Sequence, residues 1–91
     1  SIRRDAALIV GADVRHERVL EVARAAAPAE LEKIDLFDIY QGKNLAGRKS
    51  LAYAFTYRSK TGTLTDEAAN GFQAKVNAAL KAQLPAEIRE G

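Results

Sequence analysis

The sequence predicts an α+β domain in which a four-stranded antiparallel sheet carries two helices on one face. Short apolar runs and amphipathic stretches follow one another in the order strand, helix, strand, strand, helix, strand. Residues 48–58 alternate large apolar and small side chains with the two-residue period of a strand. The two amphipathic stretches end at Pro28 and Pro85, which cannot continue a helix.

The first part of the chain is predicted to form a strand and a helix. Residues 5–10 are an apolar run closed by Gly11, and side chains that are apolar on both faces are expected of a central strand. Residues 15–27 place apolar side chains at spacings of three and four, which indicates the buried stripe of a helix. His16, the only histidine, lies near the start of this helix, where we expect a solvated or capping residue and not a general base.

The middle of the chain is predicted to form a hairpin. Residues 31–41 read as the second strand, with a bend or bulge near Lys33 because eleven residues exceed the usual strand length. A loop bracketed by Gly42 and Gly47 leads into the third strand at residues 48–58.

The last part of the chain is predicted to form a helix and a short strand. Thr65 is suited to cap the helix, which runs to about Leu84, and acidic residues follow in its first turn. Gly71, inside this helix, is interpreted as a point of close packing on the sheet. Residues 86–89 would form the fourth strand. With right-handed crossovers this order closes as a ferredoxin-like βαββαβ fold, and one face of the sheet stays uncovered.

The third strand decides which face the helices cover, because burying its large apolar side chains stabilises most, at ~25 cal/mol per Å². Alternation along the strands then assigns the remaining side chains. The buried face is predicted to carry Leu51, Tyr53, Phe55 and Tyr57, joined by Leu8, Val10, Phe37 and Ile39. The uncovered face, called the open face below, is predicted to carry Ala7, Asp38, Tyr40, Ser50, Ala52, Ala54 and Thr56.

Composition narrows the classes of protein that fit. A length of 91 residues predicts a single domain over residues 1–91. The chain begins at Ser1 and contains no methionine, so we expect a piece of a longer protein. The lack of cysteine excludes disulfides and thiolate metal sites. No apolar run approaches the ~18 residues of a membrane span, and no secretory leader is visible, so a cytoplasmic protein without membrane contact is expected.

Basic residues are concentrated in one segment. Between Asp38 and Asp66 there are five basic residues and no acidic one, a local charge of +5, whereas the remaining nine basic and twelve acidic residues give −3. This asymmetry suggests an anionic partner. The alternative is a solvated hairpin whose lysines and arginines have no partner.

Other functions find less support in the residues. RNA-recognition-motif domains expose sheet aromatics for base stacking, which would need the opposite choice of faces. Acylphosphatases share the topology, but the segment after the first strand contains Asp13 where those enzymes need a phosphate loop, although Asn44 is present. The glycines at 42 and 47 are better explained as turn residues than as a phosphate cradle. A regulatory module that binds a small molecule at a sheet edge stays open.

Four segments together resemble a known family. They are RDAALIV at 4–10, LFDIYQG at 36–42, KSLAY at 49–53 and TLTDE at 63–67. In this order and at these intervals they resemble the ferredoxin-fold anticodon-binding domain at the C-terminus of the phenylalanyl-tRNA synthetase beta subunit. The resemblance implies a non-catalytic domain, without a cofactor of its own, that binds the anticodon stem-loop of tRNA(Phe). Catalysis with ATP and Mg²⁺ would belong to the alpha subunit, which together with the rest of the beta subunit would be a partner.

The resemblance also implies a set of RNA-binding residues. Asp38 would accept hydrogen bonds from a guanine edge and Tyr40 would stack on the base, with Ser50 and Ala52 leaving room for it. Phosphate contacts are expected from Arg48, Lys49, Arg58 and either Arg3 or Arg4. Two alternatives stay open: an interaction or packing module of the same ligase, and a stand-alone ferredoxin-like domain that binds RNA or a small molecule.

Overall fold

A computed structural model describes residues 1–90 and has the predicted order of elements. Gly91, the last residue of the predicted domain, lies outside the described residues. Thr65 caps the second helix as predicted, and its Oγ1 accepts a hydrogen bond from the Ala68 amide at 3.1 Å. The elements are β1 (Ile2–Gly11), α1 (His16–Ala26), β2 (Leu31–Tyr40), a 3₁₀ turn (Lys43–Leu45), β3 (Arg48–Tyr57), α2 (Asp66–Gln83) and β4 (Glu87–Glu90).

The four strands form one antiparallel sheet in the order β2-β3-β1-β4. The central pair β1 and β3 is in register from Ile2 opposite Tyr57 to Gly11 opposite Arg48. The predicted ferredoxin-like fold is confirmed. In this strand order, β2 and β4 are the edge strands of the sheet.

Both helices pack on the same face, where one hydrophobic core forms. The large side chains of β3 that were predicted to be buried are all inaccessible to solvent or nearly so. Burial of such apolar area is the main favourable term in folding, at ~25 cal/mol per Å². The core joins Leu8 and Val10 of β1 and Leu51, Tyr53, Phe55 and Tyr57 of β3 to Val19 and Val22 of α1 and Ala69, Val76 and Leu80 of α2.

A chain of hydrogen-bonded polar side chains, buried at Gln73 and Asn77, links β3, α2 and β4. The Tyr57 hydroxyl donates to Gln73 Oε1 at 2.7 Å, Gln73 Nε2 donates to Asn77 Oδ1 at 2.9 Å, and Asn77 Nδ2 donates to Glu90 Oε1 at 2.7 Å. Each buried polar group is thereby satisfied. Burial raises the pKa of Tyr57 to about 12, although the positive charge of Arg4 acts in the opposite direction.

Two expectations for the helices are wrong. His16 is partly buried and does not cap the helix, whose N-cap is Arg15: its Nδ1 lies 3.0 Å from the Tyr53 hydroxyl oxygen, and the two rings stack at 5.6 Å. This contact closes the end of the core over Tyr53, whose pKa is raised by burial and by the charge of Glu17. Gly71 does not mark close packing, because a Cβ added there would meet nothing within 4 Å.

Strand β2 is irregular at two places. The register shift between Leu31 and Lys33 confirms the predicted bulge, and a second shift falls between Leu36 and Asp38. Leu36 pairs with buried Tyr53, and after the second bulge Asp38 pairs with Ala52. Phe37 is the extra residue of this bulge, and its side chain lies on the open face, as that of Asp38 does. Bulges commonly redirect side chains in this way.

The predicted burial of two apolar residues near the second bulge, Phe37 and Ile39, is wrong. Phe37 was expected in the core but lies on the open face and is 53% exposed. Ile39 pairs with buried Leu51 and so lies on the helix side, but at the end of an edge strand it remains 57% exposed. Strict alternation assumes a regular strand, and the added residue breaks it.

Candidate functional site on the open face

The register of the strands defines the open face. Directly paired residues of antiparallel strands share a face, so the pairs Asp38–Ala52 and Tyr40–Ser50 place four predicted site residues side by side. The structure therefore confirms that these four residues share the open face. The neighbours on the same face are Arg3, Asp5, Ala7 and Ile9 of β1, Arg48, Ala54 and Thr56 of β3, Lys33, Asp35 and Phe37 of β2, and Glu87 and Arg89 of β4.

Most charged groups of the open face are paired along their own strand, two residues apart. Arg3 Nε lies 2.6 Å from Asp5 Oδ1, Lys33 Nζ lies 3.6 Å from Asp35 Oδ2, and an Arg89 guanidinium nitrogen lies 3.4 Å from Glu87 Oε2. The hydrogen bond and charge of Asp5 raise the pKa of the Arg3 guanidinium. These pairs leave the middle of the face close to electrically neutral.

Asp38 is one of two exceptions among the described residues, the other being Arg48. Its side chain is exposed, and within residues 1–90 it takes part in no ion pair and no side-chain hydrogen bond. An ionised carboxylate accepts hydrogen bonds at both oxygens and donates none. Asp38 therefore presents unused acceptors beside the small side chain of Ala52, with which it is paired.

Tyr40 is exposed but held in place by the loop that follows it. Its hydroxyl donates to Asn44 Oδ1 at 3.2 Å. The ring lies against Gly42, where an added Cβ would come within 2.6 Å of Tyr40 Cζ and closer to the hydroxyl oxygen. An aromatic ring that is 51% exposed yet fixed at its far end is suited to stack on a flat ligand.

Arg48 stabilises the same loop. It pairs with Gly11 at the end of β3, and its Nε donates to the Leu45 carbonyl at 3.2 Å. The side chain is exposed, and within residues 1–90 it takes part in no ion pair. Arg48 therefore offers a positive charge at the Tyr40 end of the open face.

Phe37 and Arg3 belong to this surface; the sequence prediction placed Phe37 in the core and named Arg3 only as an alternative to Arg4. The Arg3 guanidinium carbon lies 5.2 Å from the centroid of the Phe37 ring, a cation–π distance. A signal for the outward turn of Phe37 is present in the sequence. Apolar side chains occupy positions 34 and 36 and then 37 and 39, and this change of phase is typical of a bulge.

Three basic residues of the predicted site are not brought to it. Arg4 lies on the helix side and donates to Asn70 Oδ1 at 2.8 Å and to Asp66 Oδ1 at 3.2 Å. Lys49 pairs with buried Val10 and so also leaves the sheet on the helix side. Arg58 Nε lies 2.8 Å from Glu32 Oε2. Arg58 follows Ala52 by six residues, which corresponds to about 20 Å along the strand. The basic segment is thus divided between two ends of the molecule.

The described residues 1–90 contain no group of three or more His, Cys, Asp and Glu side chains placed to hold a metal ion. Neither helix in that range combines the length and apolarity needed to cross a membrane.

Comparison with known proteins gives consistent matches over the chain. The model of the ferredoxin-fold anticodon binding domain matches residues 1–89. Proteins named phenylalanine–tRNA ligase beta subunit are similar: that of Lactococcus lactis is 40% identical over 90 residues, and those of Streptococcus thermophilus and Streptococcus pneumoniae are 38% and 37% identical over 90 residues. Each match covers 98% of this chain and 11% of the relative, so the chain spans about a ninth of their length.

Proposed function

Because the chain belongs to the ferredoxin-fold anticodon binding domain family, we propose that it binds the anticodon stem-loop of tRNA(Phe) through its open face. The observation that carries this proposal is that two side chains of β2 lie on the same side of the strand: Asp38, an unused carboxylate, and Tyr40, a fixed and exposed ring. Small side chains lie beside both on β3. A flat base with hydrogen-bond donors on its edge fits this arrangement.

Guanine is the base that Asp38 is best suited to recognise. The Watson–Crick edge of guanine offers two neighbouring donors, the N1–H and the N2 amino group, and a carboxylate can accept from both. Tyr40 would stack on the face of the base, a contact worth roughly 1–3 kcal/mol. Ser50 and Ala52 are paired with Tyr40 and Asp38 and leave space above the strand for a base to lie flat.

Phosphate contacts are proposed for the Tyr40 end of the face. Arg48 is the favoured contact because its charge is unpaired within residues 1–90 and it lies next to the loop that holds Tyr40. Lys49 is at the same end of β3 but on the other side of the sheet, so it would act at longer range. Arg4 and Arg58 are engaged by acidic or amide side chains elsewhere and support the fold.

The relatives suggest the larger protein in which the domain works. We propose that it forms part of the beta subunit of a phenylalanine–tRNA ligase in the cytoplasm and performs no catalysis itself. ATP and Mg²⁺ would be bound by the alpha subunit, outside this chain. The partners would then be tRNA(Phe), the rest of the beta subunit and the alpha subunit.

The test is a titration of the 91-residue chain with an anticodon stem-loop, followed by NMR at each backbone amide. We expect shifts around Phe37, Asp38 and Tyr40 and at the paired residues of β3. A stem-loop with a pyrimidine in place of the first anticodon guanine is the control and should shift the same amides less. Perturbations confined to α1 and α2 would contradict the proposal and favour an interaction or packing module.

A further inference from the structure

We infer that the open face holds a second nucleotide site, in which the base next to the one at Asp38 stacks on Phe37. This inference rests on the proposed function, because it concerns the same RNA on the same face. The site is a groove of about 280 Å³ in the middle of the sheet. Ala7 and Ala52 contribute to its floor, Phe37 forms one wall, and Asp5, Arg89 and Glu90 also line it.

The size and lining of the groove fit one planar ring. Its volume falls below the ~300–1,000 Å³ of pockets that enclose whole small molecules. The alanine floor has no side chain that would prevent a ring from lying close to the backbone. The charged residues of the lining are Asp5, Glu90 and Arg89, and Arg89 is the one that can donate to the edge or phosphate of a nucleotide.

The backbone places Phe37 in this position. The bulge between Leu36 and Asp38 turns the Phe37 ring onto the open face, where it remains 53% exposed. Arg3 lies over the ring at 5.2 Å and is itself fixed by Asp5 at 2.6 Å. Arg3 contacts Phe37 but does not line the groove, so the part of the ring that faces the groove is not covered by Arg3.

The groove is continuous with the Asp38 site. Ala52 lines the groove and is also the residue paired with Asp38, while Ala7 is the partner of Ala52 on the next strand. The step from one strand to the next is ~4.8 Å. Two neighbouring nucleotides of a single strand can therefore lie side by side across β2, β3 and β1.

Arg89 supplies a donor for the second nucleotide. Its ion pair with Glu87 is long, at 3.4 Å, and its side chain is 70% exposed, so it can turn toward a phosphate or base oxygen. Stacking on Phe37 does not depend on which base is present, because every base has an aromatic face. The second site would therefore add affinity and position the strand without reading its sequence.

The experiment compares Phe37→Ala with Ile39→Ala in titrations with the anticodon stem-loop. The two residues lie on the same strand and are 53% and 57% exposed, but only Phe37 is on the open face. Phe37→Ala is expected to raise Kd about five- to a hundredfold, and Ile39→Ala to leave it within about twofold. Thermal unfolding of both variants checks that the fold is retained.

Abasic stem-loops identify the contact. One loop lacks the base before the first anticodon position and a second lacks the base after it. One of these changes should weaken binding to the unmodified chain as much as Phe37→Ala does, and should cause no further loss in that variant. If the loss caused by the abasic change multiplies with the loss caused by Phe37→Ala for both loops, the second site is overturned. Equal Kd values for Phe37→Ala and Ile39→Ala would overturn it as well.

Asp38→Ala, measured in the same series, separates this inference from the proposed function. If Asp38→Ala weakens binding and Phe37→Ala does not, the proposed function stands and the second site is overturned. If the chain does not bind the stem-loop, or binds it without dependence on Asp38, the proposed function fails and the second site fails with it.

Discussion

The ring of Tyr40 lies against the backbone of Gly42, so that a Cβ on residue 42 would come within 2.6 Å of Tyr40 Cζ. The backbone of Gly42 is extended, with φ −137°, and would accept any residue. Glycine is therefore required here by the ring and not by the backbone. The same ring is held at its hydroxyl by Asn44. The loop thus sets the direction of the stacking surface before any ligand arrives.

Gly42→Ala should impair binding while leaving stability almost unchanged. The methyl group displaces the end of an exposed side chain, which costs little in folding, but it moves the ring away from the base. We expect a free energy of unfolding within about 1 kcal/mol of the parent and a stem-loop Kd raised about five- to a hundredfold. Gly62→Ala is the matched control, since nothing lies within 4 Å of a Cβ at that position. Equal Kd values for the two variants would show that the loop does not position Tyr40.

Asp38→Ala should remove discrimination between guanine and inosine at the first anticodon position. Inosine keeps the N1–H and lacks the N2 amino group, so only guanine offers both donors to the carboxylate. Hydrogen bonds to a charged group contribute about 1.5–3 kcal/mol, and we expect roughly a ten- to hundredfold loss on the guanine loop. The loss on the inosine loop should be smaller. Equal losses on the two RNAs, measured by titration, would contradict a reading role for Asp38.

Arg48→Ala should reduce the salt dependence of binding. Removing one phosphate contact lowers the slope of log K against log salt by roughly 0.7 for a single strand. Arg48→Lys keeps the charge, so it should keep the slope even though it loses the bond to the Leu45 carbonyl. Lys49→Ala should weaken binding across sequences and flatten the slope less, because Lys49 leaves the sheet on the helix side. An unchanged slope in Arg48→Ala would remove it from the phosphate contacts.

How far the sequence predicts this structure depends on how local each signal is. The alternation of residues 48–58 places Leu51, Tyr53, Phe55 and Tyr57 in the core, because burial of one strand face is a property of that segment alone. The outward turn of Phe37 depends on how β2 pairs with β3, so simple alternation gives the wrong environment. Arg4 shares the helix side with Ala6, Leu8 and Val10, so alternation along β1 already predicts its side, but its partner Asn70 is 66 residues away in the sequence. Partners at such distances leave no local pattern.

Gly71→Ala should stabilise the domain. Gly71 lies inside α2, is exposed, and has nothing within 4 Å of an added Cβ. Alanine in a helix interior is favoured over glycine by about 1 kcal/mol, and no packing penalty opposes it here. Urea unfolding should show a higher midpoint with an unchanged slope. A lower midpoint would mean that Gly71 packs closely on another element, as the sequence first suggested.

Stability should fall as the pH rises from 10 toward 12, because the pKa of buried Tyr57 is raised to about 12 and an unfolded tyrosine titrates near 10. Below pH 10 both states keep the proton and the group has no effect. Between these values the unfolded chain loses the proton that the folded chain retains, so the free energy of unfolding decreases by up to about 1.4 kcal/mol per pH unit for this one group. Tyr57→Phe should lower stability at neutral pH, because Gln73 loses its donor, but it should make the decline above pH 10 shallower. Urea midpoints at pH 8, 10 and 11 measure both effects. Parallel curves for the two proteins would show that Tyr57 does not carry the alkaline loss of stability.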